Sequence, residues 1–137
     1  MTRIAMIFLD DGAGRWLVHQ RRADKRTYPS LHGIGAGGRI EPGESPEQGA
    51  ARELWEETGL RSPISAVTDF AFEDGPLRHH VYLFTATADA AVANHDEEWQ
   101  RITWAPAAEV DRMASAGQLC PDTAVGWAAL RRQSDRR

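Results

Sequence analysis

Glu53, Glu56 and Glu57 stand three and four residues apart, the spacing that puts side chains on one stripe of an α-helix turning roughly 100° per residue. Three carboxylates on one stripe repel, each like-charge pair costing roughly a few tenths of a kcal/mol even when exposed. Coordination turns that repulsion to use, because hard divalent cations such as Mg²⁺ or Mn²⁺ seek oxygen ligands. The three acids are therefore expected to converge. Gly49, one turn earlier on the same stripe, is worse than Ala in a helix by about 1 kcal/mol, and its missing side chain is expected to leave room for a metal or substrate.

A helix over residues 46–58 is needed to hold these acids, and its ends are written locally. Ser45 can cap the N-terminus, Pro46 fits the first helical position, and Gln48 closes a capping box. Gly59 takes the left-handed position that ends it. Ala51, Leu54, Trp55 and Thr58 turn away from the acids and are expected to pack.

Glu56-Glu57 alone reads as a solvated acidic face, but the full pattern is more specific: Gly38, five residues, Glu44, seven residues, then Arg52-Glu53-Leu54-Trp55-Glu56-Glu57-Thr58-Gly59-Leu60. This resembles the Nudix box, G-x5-E-x7-R-E-U-x-E-E-x-G-U with U apolar, and matches it at every specified position over 23 of 137 residues. The resemblance implies an α/β fold, a Nudix-type α/β/α sandwich with a mixed sheet. It also implies hydrolysis of a diphosphate linkage in a nucleoside diphosphate joined to another moiety, using water and Mg²⁺ or Mn²⁺. By resemblance Glu53, Glu56 and Glu57 are metal ligands, Glu53 or a loop acid is the general base, Glu44 supports through water, and Arg52 orients a catalytic glutamate through charge-assisted hydrogen bonds.

Just before the box, Gly33 to Gly38 reads GIGAGG and satisfies G-x-G-x-x-G. The dinucleotide reading fails because Pro42-Gly43 follows where a helix should open. The glycines instead predict a bend where backbone approaches a ligand; a carbonyl there, at Gly37, is expected to join the metal's oxygen shell, with Gly38 in support. Upstream, Arg21, Arg22, Lys25 and Arg26 form a basic cluster that runs into a loop over residues 23–33 well placed to line a pocket, and Arg21, Arg22 and Arg26 are candidate phosphate contacts. Trp16, Tyr28 and Phe72 are candidates for stacking on a base, although packing is the commoner role of such residues.

The remaining elements follow from apolar runs. Residues 3–9 read as a buried strand returning through a hairpin into 16–22, and 63–73 and 77–88 as two strands joined at Asp74-Gly75-Pro76, the second of them central. His79 and His80 should point to opposite faces, each as an edge or surface residue. A last strand over 99–104 closes at Trp104, Pro106 opens a helix, and Pro121 opens another packed through Val125, Ala128, Ala129 and Leu130. Many members of the family that the box resembles carry a glutamate six residues before the strand-ending tryptophan; with Trp104 as anchor that is Glu98, a candidate ligand and base facing the helix.

At 137 residues with one cysteine, the chain is expected to be one domain, 1–137, needing no disulfide. A net charge of −4 and a pI near 5.7 argue against a nucleic-acid polymer as partner. The apolar run at residues 4–9 is too short for a signal segment, so a cytoplasmic protein off the membrane is expected. The partner is then a small-molecule diphosphate, and the resemblance allows a homodimer. Two alternatives share the scaffold. Gln20-Arg21-Arg22 and the loop after it are similar to the isopentenyl-diphosphate isomerase branch, but that chemistry depends on a cysteine just before the box and residues 27–38 contain none. A nucleotide-sensing domain without catalysis tends to lose box acids, and all are kept here. Pro76 has a spacing similar to a marker of ADP-sugar pyrophosphatases and is equally explained as a turn residue.

Overall fold

The computed structural model describes residues 1–93 and 99–135. Among them the elements run β1 Thr2–Asp10, β2 Arg15–Arg21, β3 His32–Ile34, β4 Ala36–Arg39, α1 Pro46–Thr58, β5 Ile64–Asp74, β6 Leu77–Thr87, β7 Trp99–Pro106, α2 Ala107–Ser115 and α3 Pro121–Asp135.

The unbroken apolar run of β1 makes it the centre of the fold. Successive strand residues face opposite sides, so Ala5, Ile7 and Leu9 enter one core with Ala50 and Leu54 of α1. Met6 and Phe8 enter a second core with Val110 and Met113 of α2 and Trp127 of α3. Helices thus cover both faces, giving the α/β/α sandwich. The sheet is mixed: β1 pairs in parallel with β6 from Thr2↔His79 to Asp10↔Thr87, and β6 pairs antiparallel with β5. β6 is central as expected, between β1 and β5.

The hairpin expected from residues 3–9 and 16–22 survives only at its turn end, where Asp10 pairs with Trp16. Beyond that β4 takes the edge of β1, from Ile4↔Arg39 to Ile7↔Ala36, and β2 swings away to pair with β3 and β7. The gap so opened beside the glycine run is what makes room for a site.

Helix α1 forms over the predicted span, with the Ser45–Gln48 capping box and Gly59 at φ 75°. Its packing face differs by one step of rotation. Ala50, Leu54 and Thr58 are buried, while Ala51 is exposed and Trp55, 43% exposed, lies under the Arg61 guanidinium at 4.0 Å. Gly49 is a correction as well. A Cβ there would meet Ile40 at 3.0 Å, so the glycine permits close packing of α1 on the preceding loop and leaves no space for a ligand. In α3 the packing stripe is Thr123, Gly126 and Trp127, not Val125 and Ala128, which are exposed. Gly126 brings α3 so near β1 that an added Cβ would lie 3.1 Å from Phe8, and this close approach selects the face. Among the described residues no helix is long and apolar enough to cross a membrane.

Candidate active site

The acidic stripe of α1 lies against β4, and Arg52 ties the two together. Its Nε donates to Glu44 at 2.9 Å and its Nη2 to the same carboxylate at 3.0 Å. Nη2 also reaches the Arg39 carbonyl at 2.9 Å. Nη1 donates to Glu53 at 2.9 Å and to Glu56 at 3.2 Å. One planar guanidinium thus braces three carboxylates and the end of β4, a task that matches its forked donors. The Arg52 hydrogen bonds, followed by the Glu41 N–H, hold the Glu44 pKa down to about 2. Arg52 is itself raised, chiefly by Glu44 and despite some desolvation. Both stay charged across the neutral range.

The glycine run supplies the opposing wall. Gly37 N–H donates to Glu57 Oε2 at 2.9 Å, and the Glu53 carboxylate occupies the space a Gly38 side chain would need, 2.5 Å from a Cβ built there. Glu53 and Glu56 both accept from Arg52, while Glu57 accepts from the Gly37 N–H beside the Gly38 against which Glu53 lies. Among the described residues no three His, Cys, Asp or Glu side chains gather in a form that would hold an ion as they stand. The donor set still fits a hard cation: carboxylates on adjacent turns and a backbone with no Cβ facing them are all oxygen ligands or room for one. Glu98 lies outside the described residues.

A cavity of about 720 Å³ opens beside this wall, and Gly37, Gly38 and Glu57 line it. Arg21 and Lys25 line it too, with Arg21 Nε tied to the Thr27 carbonyl at 2.9 Å. The other two members of the basic cluster do not reach it: Arg22 pairs with Asp24 at 2.8 Å and Arg26 is exposed. Of the candidate stacking residues only Tyr28 lines the cavity, its hydroxyl donating to Asp74 at 2.6 Å. Trp16 packs edge-on against Trp127 and Phe72 joins the α2–α3 side of the core.

Four residues that sequence reasoning placed elsewhere or passed over also line the cavity: His19, His79, Trp99 and Asp122. His79 and His80 do face opposite ways. His80 meets Asp69 at 2.6 Å, whereas His79 turns inward with its Nδ1 buried and, among the described residues, lacking a partner. Strand parity from Arg21 points to His19, two residues back on the same face; nothing local marks Asp122 or Trp99. Cys120, remote from the box in sequence, lines the cavity as well, and burial pushes its thiol up to about 12. It is protonated at neutral pH.

His19 is buried, stacked on Trp99 at 4.2 Å, and desolvation holds its pKa down to about 4 against some relief from the Gly35 carbonyl, with Arg21 and His32 adding to the depression. The unfolded chain therefore takes up this proton first as pH falls from 6.5. The stability it contributes is complete above that value and is lost as pH falls through about 4, amounting to about 3 kcal/mol. Asp122, raised by burial, acts in the opposite sense. Urea melts between pH 7 and 4.5 should show wild type losing stability relative to His19→Gln; parallel curves would refute the burial argument.

In this mixed-sheet sandwich an arginine-braced acidic helix meets a glycine strand at the wall of a cavity. The comparisons with known proteins agree. The NUDIX domain profile matches residues 1–122. The chain is 32% identical over 115 residues to the nucleoside triphosphatase NudI of Enterobacter sp. (strain 638), covering 75% of this chain and 79% of that protein. It is 30% identical over 122 residues to an uncharacterised Nudix hydrolase of Pseudomonas aeruginosa, covering 88% and 72%. In fold it is similar to the MutT protein of Methanosarcina mazei Go1, with TM-score 0.79, 21% identity and coverage of 97% and 94%. It is also similar to the NUDIX domain of Shewanella oneidensis NrtR complexed with ADP ribose, with TM-score 0.72, 24% identity and coverage of 96% and 86%. The chain belongs to the Nudix family. It is a hydrolase of that family, a pyrophosphatase of the general nucleoside diphosphate-X class, and Nudix hydrolases generally use divalent metal ions and act on small molecules.

Proposed function

We propose that this chain is a Mg²⁺- or Mn²⁺-dependent diphosphohydrolase acting on a nucleotide or nucleotide-sugar type of substrate. The observation that carries the reading is the junction of α1 and β4, where Glu57 is bonded to the Gly37 N–H and Glu53 sits against Gly38 at the cavity wall. Glu53, Glu56, Glu57, the Gly37 carbonyl and Glu98 are the oxygen ligands in this reading. A divalent cation bound there supplies charge neutralisation and an activated water. Arg52 orients Glu53, which with Glu98 shares the candidacy for general base, and Glu44 keeps Arg52 in place. Arg21, at the cavity, is the candidate for a substrate phosphate, ahead of Arg22 and Arg26. A nucleotide-type substrate accords with the nucleoside triphosphatase named among the relatives and the ADP ribose complex among the fold neighbours.

The test is hydrolysis of a panel of NDP-sugars, dinucleoside polyphosphates, nucleoside triphosphates and isoprenyl diphosphates with Mg²⁺, Mn²⁺ or excess chelator, the products read by phosphorus NMR. Cleavage that needs the metal is expected. Full activity in chelator would refute the metal reading, double-bond migration in an isoprenyl diphosphate would favour the isomerase, and ligand-induced thermal stabilisation without product would favour a sensor. A second prediction concerns the facing side of the metal. Glu98→Ala is expected to lower turnover and weaken metal activation much more than Glu97→Ala, with little change in melting temperature. Equal effects, or a worse Glu97 variant, would displace Glu98 from the ligand set.

A further inference from the structure

Gly35 is the single residue between β3, which pairs with β2, and β4, which pairs with β1. Its peptide is the point where the chain crosses from one partner to the other. Both of its polar groups are held by β2: Gly35 N–H donates to the Leu17 carbonyl at 2.9 Å, and the Gly35 carbonyl lies 2.9 Å from His19 Nε2. A carbonyl only accepts, so Nε2 carries the proton and Nδ1 is left as a lone pair, consistent with the absence of a partner for Nδ1 among the described residues. The ring is fixed on several sides. Trp99 stacks on it with planes 8° apart, a Gly33 side chain would stand 2.7 Å from it, and the register shift between Val18 and Gln20 takes His19 out of the ladder to β7.

We infer that His19 is a positioning residue for the hydrolytic site: by gripping the Gly35 carbonyl it fixes the crossover that sets β4 on β1 and so aims Gly37 at Glu57 and Gly38 at Glu53. Only one residue, Ala36, separates the gripped carbonyl from the Gly37 N–H that bonds Glu57, and the β1–β4 ladder carries its placement on through Met6↔Gly37 and Ala5↔Gly38. The inference rests on the metal-dependent reading above for its link to turnover, but the grip itself can be tested without it.

The probes are His19→Phe, which keeps a ring for Trp99 but removes the donor, and His19→Gln, which returns an N–H near the place of Nε2. In the full-length protein His19→Phe is expected to weaken Mn²⁺ binding, measured by calorimetry without substrate, and to lower kcat, each about 10- to 100-fold, the range for a group that orients a ligand. KM should change less than kcat. The Gly35 and Gly37 amide signals should shift with it, and His19→Gln should recover most of the Mn²⁺ affinity, the kcat and the signals. Wild-type affinity and kcat in His19→Phe, or a Gln variant as impaired as Phe, would overturn the inference. Nitrogen NMR of the wild-type ring decides the case even if His19→Phe does not fold: an Nε2–H tautomer is expected and an Nδ1–H tautomer overturns it. Wild type that binds no Mn²⁺ would overturn the metal reading instead, while the ring tautomer and the Gly37 signals still judge the grip.

Discussion

Glu57→Gln is expected to leave a folded protein whose turnover has dropped by more than the roughly 10- to 100-fold that losing an outer-shell partner costs. The substitution keeps the length and shape of the side chain, and an amide oxygen can still accept the Gly37 N–H now bonded to Oε2 at 2.9 Å. Packing is therefore preserved, and Thr58 and Leu54, the buried neighbours on α1, are untouched. What disappears is one negative charge at the wall of the cavity. An amide is a weak ligand for a hard cation beside a carboxylate, so the loss should fall on metal binding and kcat together. Circular dichroism and the melting temperature should match wild type while kcat and the Mn²⁺ activation constant do not. Near-normal turnover would remove Glu57 from the site.

How much of this was legible in the sequence depends on whether the deciding contact is local. Helix α1 was readable to the residue because Ser45, Pro46, Gln48 and Gly59 act on their own neighbours. The buried strand β1 was readable because the run from Ile4 to Leu9 is apolar on both faces, and the sandwich around it followed from the resemblance that the box carries. The hairpin was misread past Asp10↔Trp16 because a competitor for the edge of β1 arrives in space only at residues 36–39. Local periodicity likewise named Val125 and Ala128 for the face of α3, where the tight approach to Phe8 chooses Gly126 and Trp127. In the site, the box marked Arg52 and the acids, but not that Arg52 would divide its donors among Glu44, Glu53 and Glu56. His19, Trp99 and Asp122 meet at one cavity from positions scattered through the chain, and no local pattern links them.

Gly38→Ala tests whether the seat of Glu53 matters as distinct from its charge. A methyl group at residue 38 would lie 2.5 Å from the Glu53 Cδ and Oε1 and 2.6 Å from Oε2, well inside contact distance, so the carboxylate has to leave. It can do so cheaply, because the colliding atoms are the far end of a flexible side chain, and Gly38 is not among the glycines with positive φ, so alanine meets no backbone strain there. The displaced carboxylate must either stretch its 2.9 Å bond to Arg52 Nη1 or drag the guanidinium from Glu44. A shift of about 1 Å at a reacting group costs on the order of 100-fold in rate, and that is the expected fall in kcat, with a melting temperature lowered by only about a few degrees. Gly37→Ala gives the contrast. Its Cβ would meet the backbone oxygen of Ala5 at 2.9 Å, a group that cannot turn aside, so this variant should lose stability as well as rate. Wild-type kcat in Gly38→Ala would show that hydrolysis does not need Glu53 where α1 and β4 now hold it.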